Sequence, residues 1–352
     1  MSPCSRHAPR EDRQVQRHLR QGGNEEPRQY LNSTKNPCWF DNSTYPNLLC
    51  LPYFYVAGVA KSGTSDLFRR IALHPDVMEG MKKEYHWWDY GRYMEGGNIP
   101  LADYARMVTG EQGSKTVESE ILTKGTSDKI FGDRSTSIFR DVHRWRFLDG
   151  NRGCQEPRVL IGHHIRHVTP MARIILSFRH PTYRLYSRFL ARIPELKRGS
   201  SVTFHKLVVK AVRLYRDCFA RLSLRHCAYN ETLFESTGVR LVGGMYSIFL
   251  EDWLRIFPRS HIYVMRYEDY ATDMLTEINK IYAFLHLAKL NGTVMKGVLD
   301  DVKLKAGILY EKVGPMMPET MDILNDFYEP FMENLADILQ DERFLWRDME
   351  IP

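Results

Sequence analysis

The residues best suited to chemistry form one short stretch with a lysine, three hydroxyl side chains and a glycine. They are Lys61, Ser62, Gly63, Thr64 and Ser65. The stretch follows an apolar run at residues 53–56 and precedes a helix-like segment at residues 66–73, which stops before Pro75. The first amides of a helix have no intrahelical partners and, with the helix dipole, present positive charge at the turn. The stretch therefore predicts a site that grips a phosphate or sulfate group.

The loop does not match the common nucleotide-binding loops. In G-x-x-x-x-G-K-[ST] the lysine follows the second glycine, whereas Lys61 precedes Gly63, and the spacing G-x-G-x-x-G is not found here either. This argues against an ATPase. The order from Lys61 to Ser65 resembles instead the 5′-phosphosulfate loop of sulfotransferases, which bind 3′-phosphoadenosine 5′-phosphosulfate. Taken alone, the loop is also compatible with an ordinary strand-to-helix connection.

A second stretch combines acid, imidazole and indole side chains. It reads Lys83, Glu84, Tyr85, His86, Trp87, Trp88 and Asp89. This segment is similar to one in the Golgi carbohydrate (glycosaminoglycan) sulfotransferase family whose glutamate is the proposed catalytic base. The resemblance implies that Glu84 is the base, that His86 orients the acceptor or shares charge, and that Lys83 and Trp87 bind the acceptor. An aromatic-rich core turn with solvated charges is the alternative.

The third candidate site follows another strand pattern. Residues 173–178 read as a buried strand, and Arg179 precedes a helix that contains Ser187. An arginine at the end of a strand and a serine two turns into the next helix can meet one anion from opposite sides. The residues resemble the family's 3′-phosphate motif Arg-x-Pro-x-x-Arg-x-x-Ser, which matches at Arg179, Pro181, Arg184 and Ser187. Two such sites suit a doubly phosphorylated nucleotide on an open α/β sheet.

Weaker resemblances add further candidate residues. Arg134 follows Asp133 in a segment similar to the family's Gly-Glu-x-Ser-Pro, with aspartate in place of glutamate and no proline, and the resemblance implies an acceptor contact there. Residues 139–173 are dense in Arg and His, including His164, and suit an acidic glycan, although a solvated helical face is equally compatible. The family's basic, glycine-containing loop before its last helix implies a nucleotide contact for Lys305 or Lys312.

The order of elements predicts an α/β fold with a P-loop-like strand-loop-helix for the phosphosulfate. We expect one sulfotransferase domain at residues 46–352, with a central parallel sheet flanked by helices, and a disordered or stem-like arm at residues 1–45. Short strands are expected at residues 129–133 and 261–265 in addition to those named above. Helices are expected at residues 102–108, 203–226 and 319–339, with another beginning near residue 244.

Composition favours an acidic partner. The formal net charge is +6, which attracts nucleic acid, anionic membranes and sulfated polysaccharides alike. The sequence carries no recognisable nucleic-acid motif, which favours the polysaccharide. His163 and His164 do not predict a metal site, because adjacent side chains diverge and no third ligand stands out. We therefore expect a sulfated glycosaminoglycan acceptor and no metal requirement.

Several features are typical of a secretory compartment. Four triplets fit the N-glycosylation pattern, at Asn32, Asn42, Asn230 and Asn291. Among the six cysteines, Cys38 with Cys50 and Cys218 with Cys227 form close pairs suited to disulfide bonds, with free buried cysteines as the alternative. We find no signal peptide and no apolar run long enough to span a bilayer. The expected location is the Golgi lumen, for a chain that lacks its membrane anchor, or secretion.

These observations predict direct in-line transfer of a sulfonate group to a sugar hydroxyl. Resemblance to a His-Trp-Trp group within the family implies the 6-position of 4-sulfated N-acetylgalactosamine in chondroitin or dermatan sulfate. A heparan sulfate sulfotransferase, or an inactive glycan-binding protein on the same fold, is the alternative. A nucleotide kinase is a further rival within enzymes, and it requires ATP and magnesium.

Overall fold

The computed structural model describes residues 27, 29–41, 47–80, 84–91, 99–140, 145–148, 150–192, 199–300 and 313–348. The predicted site residues Lys83, Lys305 and Lys312 lie outside the described residues, as does most of the predicted arm. The boundary between arm and domain therefore stays a prediction. The chain divides into two compact units, the first formed by residues 1–58, 63–177 and 256–302 and the second by residues 59–62, 178–255 and 303–352.

The first unit is built on a five-stranded sheet. Its strands are β3 (Phe54–Gly58), β4 (Val77–Met78), β5 (Ile130–Asp133), β6 (Arg173–Phe178) and β7 (Ile262–Arg266). Across the sheet they lie in the order β4-β5-β3-β6-β7. The central strand β3 runs parallel to both neighbours, with Phe54 opposite Gly132 and Arg173. Strands β4 and β5 are also parallel.

The burial of these strands explains their sequence. Every residue of β3, β5 and β6 is buried, because helices cover both faces of a parallel sheet. Apolar side chains of the strands pack with those of the helices in one cluster that includes Val56, Ile71, Ile175 and Ile281. Burial of such side chains stabilises the fold by about 1.5–3 kcal/mol each. The predicted parallel sheet flanked by helices is confirmed.

The helices of the first unit follow the chain between the strands. They are α1 (Thr64–Ala72), α2 (Leu101–Lys124), α3 (Ile161–Val168), α9 (Tyr267–Thr272), α10 (Met274–Phe284) and α11 (Gly292–Asp300), with single 3₁₀ turns at Trp145–Phe147 and Arg259–His261. Helix α2 is far longer than the predicted segment at residues 102–108. Gly110 is non-helical inside it (φ 62°, ψ 165°), so two helical halves meet at a kink that interrupts the amphipathic pattern.

A small antiparallel hairpin precedes the strands of this sheet in the sequence. Strands β1 (Cys38–Phe40) and β2 (Leu48–Cys50) pair so that Cys38 faces Cys50, and the two cysteines form a disulfide bond. Strand β2 packs against α2, where the Thr109 hydroxyl accepts from the Cys50 amide at 2.7 Å. The predicted Cys38–Cys50 pair is therefore confirmed.

The second unit is largely helical. Its helices are α4 (Pro181–Leu190), α5 (Ser201–Phe219), α6 (Leu224–Ala228), α7 (Glu231–Ser236), α8 (Tyr246–Ile256) and α12 (Pro318–Leu339), with 3₁₀ turns at Leu241–Gly244 and Glu342–Leu345. Helix α5 packs against α12 through aromatic contacts, such as Phe219 with Phe327 at 6.1 Å between ring centroids. Cys218 and Cys227 form the second predicted disulfide bond. Among the described residues, none of the helices combines the length and hydropathy that crossing a bilayer requires.

Candidate active site

The turn into α1 depends on Gly63. This residue has φ 74°, in the left-handed region, and its carbonyl accepts from the Leu67 amide at 3.0 Å. A Cβ atom at this position would lie 2.7 Å from the ring of Tyr267 on α9, closer than packed atoms approach. Glycine is therefore the residue that fits both the backbone angle and the space. The turn leaves the first amides of α1, from Thr64 onward, without helical carbonyl partners.

The acidic residue in the first turn of α1 is engaged inside the protein. The Asp66 carboxylate accepts from Arg70 Nε at 2.9 Å and from the Tyr270 hydroxyl at 2.5 Å. Burial, and after it this hydrogen bond, raises the pKa of Tyr270. Because Asp66 is paired with Arg70, its negative charge is partly neutralised near the start of the helix. The positive end of the α1 dipole remains suited to an anion.

In the second unit, Lys61 lies among cations. The Arg179 guanidinium donates to the Lys61 carbonyl at 3.5 Å. Burial lowers the pKa of the Lys61 ammonium, and the charges of Arg188 and Arg179 lower it further. Among the described residues, no carboxylate lies within ion-pair distance of Lys61. A lysine with two arginine charges near it fits a multiply charged anion such as a phosphosulfate.

The backbone that presents Arg179 is fixed by aromatic packing in the same unit. The Tyr246 hydroxyl donates to the Arg179 carbonyl at 2.8 Å, and Tyr246 stacks on Phe178 with ring centroids 4.4 Å apart. On α4, Ser187 is half-buried. The motif residue Arg184 is buried and packs its guanidinium so close to Gly243 that a Cβ there would lie 2.7 Å from it.

In the first unit, Glu84, His86 and Asp89 form a charged network. His86 Nε2 lies 2.9 Å from Glu84 Oε2, and His86 Nδ1 lies 3.4 Å from Asp89 Oδ2. The bonds to Asp89 and Glu84 raise the pKa of His86 to about 10. The bond from His86 in turn lowers the pKa of Glu84, with a smaller contribution from Arg134. At neutral pH the pair is therefore an imidazolium and a carboxylate.

Residues after β5 hold this network in place. The Ser135 hydroxyl accepts from the His86 amide at 2.9 Å, and the Ser137 hydroxyl lies 3.0 Å from His86 Nδ1. Arg134 Nε lies 3.9 Å from Glu84, and its guanidinium sits over the Phe68 ring at 5.6 Å. The predicted candidates Glu84, His86 and Arg134 are thus brought together. They lie where β5 ends, at the carboxyl edge of the parallel sheet, the edge at which ligands bind in such folds.

A buried carboxylate supports the same segment. Asp133 accepts from the Ser135 amide at 2.8 Å, from the Ser135 hydroxyl at 2.6 Å and from the Tyr104 hydroxyl at 2.7 Å. Trp88 Nε1 donates to Tyr104 at 3.2 Å. Burial raises the pKa of Asp133 to about 6. This network links the end of β5 to the segment that carries Glu84.

Two predicted acceptor contacts lie in the interior. Trp87 is fully buried, stacks on Tyr104 at 4.8 Å and donates to the Ile99 carbonyl at 2.8 Å. His164 is fully buried within α3. Both side chains therefore pack in the protein, and we do not propose them as acceptor contacts. Within the described ranges, no three His, Cys, Asp or Glu side chains are grouped to hold a metal ion.

Some site residues were not predicted. Asp89, Ser135 and Ser137 contact His86 directly or through its amide, and the charge of Arg188 lowers the pKa of Lys61. Asp89 follows His86 by three residues and Arg188 directly follows the motif residue Ser187. Their proximity to motif residues in the sequence could therefore have identified them as candidates. The serines are about fifty residues from His86 in the chain, and only the pairing of the sheet brings them near.

Comparison with known proteins agrees with this architecture. The family model described as "Sulfotransferase domain" matches residues 52–305. Carbohydrate sulfotransferase 15 of Homo sapiens is 31% identical over 381 residues, which cover 91% of this chain and 66% of that protein. Heparan sulfate glucosamine 3-O-sulfotransferase 6 of Homo sapiens is 24% identical, over 80% of this chain and 69% of that protein.

A solved structure shares the fold. The crystal structure of a sulfotransferase from Alicyclobacillus acidocaldarius superposes with a TM-score of 0.50 at 20% identity and covers 84% of this chain and 99% of that chain. The present chain spans about two thirds, 66%, of the length of carbohydrate sulfotransferase 15. The family model covers well over half of this chain, from the strand before the loop to beyond α11. The chain therefore belongs to the sulfotransferase domain family.

Proposed function

We propose that this protein transfers a sulfonate group from 3′-phosphoadenosine 5′-phosphosulfate to a hydroxyl group of a glycosaminoglycan. The observation that carries the proposal is the setting of the partly buried Lys61, whose carbonyl accepts from Arg179 at 3.5 Å and whose pKa is lowered by burial and then by the charges of Arg188 and Arg179. Lys61 stands two residues before Gly63, whose conformation starts α1. A donor with phosphate and phosphosulfate groups brings negative charge to this positively charged turn. Membership of the sulfotransferase domain family supports this choice of donor.

We assign the donor contacts to two groups of residues. Lys61, Ser62, Gly63, Thr64 and Ser65 hold the 5′-phosphosulfate, and Arg179 and Ser187 hold the 3′-phosphate. Arg188, whose charge lowers the pKa of Lys61, joins the first group. Lys305 or Lys312 remains a proposed nucleotide contact outside the described residues. No metal ion has a role in this scheme, because lysine, arginine and helix amides supply the positive charge.

Glu84 is the proposed general base. It accepts the proton of the sugar hydroxyl while the hydroxyl oxygen forms a bond to sulfur and the bond between sulfur and the bridging phosphate oxygen breaks. Lys61 stabilises the negative charge that develops on the leaving phosphate. The low pKa of Glu84 keeps it ionised but makes it a weaker base, so precise placement by His86 and Arg134 is its main advantage.

His86 has two proposed roles. As an imidazolium between Glu84 and Asp89 it fixes the base, and it also orients the acceptor or shares its charge. Arg134, with its guanidinium 3.9 Å from Glu84, contributes to the same positive surroundings. Lys83 stays a proposed acceptor contact outside the described residues. An anionic acceptor is favoured by the formal net charge of +6.

The acceptor we favour is 4-sulfated N-acetylgalactosamine in chondroitin or dermatan sulfate, modified at the 6-position. Support comes from the Lys-Glu-x-His-Trp-Trp segment and from 31% identity to carbohydrate sulfotransferase 15. Heparan sulfate glucosamine is the second candidate, because a relative named for that acceptor aligns over 80% of this chain. The proposed compartment is the Golgi lumen or the secretory route, which the disulfide bonds Cys38–Cys50 and Cys218–Cys227 favour.

A transfer assay with labelled donor tests the proposal. The protein is incubated with chondroitin, dermatan and heparan sulfate in buffer with a chelator, and the products are digested to disaccharides. We expect label on the 6-position of 4-sulfated galactosamine units without magnesium. Label on heparan disaccharides would instead support the second candidate. A protein that binds these chains but transfers nothing would be an inactive glycan-binding protein, and one that needs ATP and magnesium would be a kinase.

A further inference from the structure

Two of the triplets that fit the N-glycosylation pattern begin with exposed asparagines in the first unit. Asn32 is exposed and lies in a turn. Asn291 is exposed, as is Thr293, and it directly precedes α11. The Oδ1 atom of Asn291 accepts from the Val294 amide at 3.0 Å, so this cap uses the side-chain oxygen and not the nitrogen Nδ2, to which a glycan is attached. A bulky glycan fits at such surface turns without displacing packed side chains.

The turn that contains Asn32 is fixed at the amino end of β5. The Ser33 carbonyl accepts from the Ser127 amide at 2.9 Å, and Asn36 Nδ2 donates to the Lys129 carbonyl at 2.7 Å. Ser127 and Lys129 come just before β5 in the chain. These hydrogen bonds therefore place the first triplet at the amino edge of the parallel sheet.

The segment before α11 lies at the same edge. The Ala288 carbonyl is 2.9 Å from Nε2 of His74, which comes just before β4 in the chain. Lys35 Nζ donates to the His286 carbonyl at 3.2 Å, so the two segments are in direct contact. Asn291 follows Ala288 by three residues, which span at most roughly 11 Å. Because β4 and β5 are parallel neighbours, both asparagines lie near the amino ends of these strands.

The third triplet that the structure describes has a different environment. Asn230 lies in the second unit and is half-buried. Its Oδ1 atom accepts from the Leu233 amide at 3.0 Å, and its own amide donates to the Cys227 carbonyl at 3.3 Å. Cys227 is fully buried and forms a disulfide bond with Cys218. A glycan on Asn230 would displace packed neighbours, so burial distinguishes it from the exposed pair. The fourth asparagine, Asn42, lies outside the described residues.

The Glu84–His86 network lies at the other edge of the sheet in the first unit. The His86 amide donates to Ser135, which follows β5, whereas Ser127 precedes β5. A strand of four residues spans roughly 13 Å. Glycans on the two exposed asparagines would therefore begin at the edge opposite the candidate base.

We propose that Asn32 and Asn291 carry N-linked oligosaccharides and that Asn230 does not. This assignment rests on the secretory compartment of the proposed function, where the donor is an oligosaccharide linked to a lipid diphosphate. The Nδ2 atom forms a bond to the anomeric carbon of the first sugar and loses one proton, while the bond from that carbon to the diphosphate oxygen breaks. The glycans cover the amino edge of the sheet and leave its carboxyl edge open to donor and acceptor.

Mass spectrometry of the secreted protein tests the assignment. The full chain enters the secretory route of cultured animal cells behind a cleaved leader, and an amidase then converts glycosylated asparagines to aspartate. We expect Asn32 and Asn291 to be converted and Asn230 to stay unchanged. Asn32→Gln and Thr293→Ala should each remove one glycan, seen as one step in electrophoretic mobility, because the triplet requires the asparagine and the hydroxyl two residues later. Thr232→Ala, in the triplet of Asn230, should change nothing.

Thr293→Ser is the matched control, because its hydroxyl completes the same triplet and the glycan should remain. Enzymatic removal of the glycans from the folded protein should leave its affinity for 3′,5′-adenosine bisphosphate and its turnover unchanged. Conversion of Asn230, or an unconverted Asn32 or Asn291, overturns the assignment. Loss of nucleotide affinity on glycan removal overturns the separation of the two edges. Failure of the proposed activity appears separately, as a glycosylated protein that binds no nucleotide and transfers no sulfonate.

Discussion

At the scale of single residues, the carboxylate of Glu84 is held by charge from two sides. His86 is 2.9 Å away and Arg134 is 3.9 Å away. The charged pair of Glu84 and His86 persists from below the ordinary glutamate pKa up to about pH 10, where His86 loses its proton. Glu84 is half-exposed, so solvent screens part of this interaction. The arrangement fixes the geometry of a base without burying it.

Replacing Glu84 with Gln tests its proposed role. Glutamine keeps the size and hydrogen-bonding capacity of the side chain but cannot accept a proton, so we expect turnover to fall by about 10²–10⁴-fold. Affinity for 3′,5′-adenosine bisphosphate should stay near the wild-type value. Steady-state kinetics and calorimetry measure the two quantities. Glu111→Gln, on the exposed face of α2, is the control, and full activity of Glu84→Gln would reject the base assignment.

The buried Asp133 predicts a pH-dependent stability. Its pKa of about 6 in the folded protein exceeds the ordinary value, so the folded state binds the proton more tightly than the unfolded chain. Its contribution therefore makes stability fall as pH rises from about 4 to about 6. Asp133→Asn removes this contribution.

Urea unfolding at pH 4.5 and pH 6.5 measures the effect. We expect the free energy of unfolding of the wild type, minus that of Asp133→Asn, to decrease between the two pH values by up to about 2 kcal/mol. The groups that face Asp133 are Tyr104, Ser135 and, at longer range, Asp89, and all are present in both proteins. A difference that stays constant or increases with pH would contradict the assignment.

At the scale of elements, the turn into α1 is the feature on which the proposed donor binding depends. Gly63→Ala would combine a positive φ with a Cβ that meets Tyr267 at 2.7 Å. Gly125 has a similar φ of 80° but open space around its Cβ position, so Gly125→Ala measures the cost of the backbone angle alone. We expect Gly125→Ala to lower the free energy of unfolding by about 1 kcal/mol and Gly63→Ala to lower it by at least about 2 kcal/mol.

Nucleotide affinity should distinguish the two variants further. Gly63→Ala displaces the turn, so its bisphosphate affinity should fall, whereas Gly125→Ala lies at the end of α2 and should bind normally. Chemical unfolding and calorimetry give the two measurements. Equal stability of the two variants would show that the Tyr267 ring moves away from the added Cβ without lowering the free energy of unfolding.

The buried strands were the elements best predicted from sequence, because a strand covered on both faces reads as one apolar run. The expected segment 173–178 coincides with β6, and those for β3, β5 and β7 differ by one or two residues. Helix α2 was predicted only in part, since the kink at Gly110 changes which face is buried. Strands β1 and β2 were not predicted, because each has three residues and so short a segment shows no recognisable alternation of apolar and polar residues.

The site residues, like the strands and helices, include some that the sequence predicts and some that it does not. Lys61, Glu84, His86 and Arg179 stand in local motifs, so sequence alone identified them as candidates. The contacts of Ser135 and Ser137 with His86 cross from one strand's end to another segment, and no local pattern predicts them. Trp87 belongs to a motif yet is buried, because an indole beside Tyr104 gains more from packing than from exposure. A motif therefore identifies which residues are candidates, and the burial of each side chain indicates whether it packs inside the protein or can contact a ligand.

At the scale of the whole molecule, each compact unit contains one disulfide bond between described cysteines. Cys38–Cys50 closes the β1–β2 hairpin in the first unit, and Cys218–Cys227 joins α5 to α6 in the second. The sequence separations are 12 and 9 residues. Cross-links that close loops of this size stabilise proteins by about 2–4 kcal/mol, chiefly by restricting the unfolded chain.

Removal of either disulfide should therefore lower stability. We expect Cys38→Ala with Cys50→Ala, and separately Cys218→Ala with Cys227→Ala, to lower the free energy of unfolding by about 2–4 kcal/mol. Chemical unfolding of the oxidised wild type and of the two variants measures the change. Variants as stable as the wild type would mean that these bonds do not form in the protein.

Calorimetric titration of 3′,5′-adenosine bisphosphate in buffer without magnesium tests the proposed donor site. We expect saturable one-to-one binding by the wild type. We also expect a loss of about 2–4 kcal/mol for Arg179→Ala and no change for Arg216→Ala, which removes an exposed arginine from α5 in the same unit. Absence of binding, binding only of ATP with magnesium, or full affinity of Arg179→Ala would contradict the account.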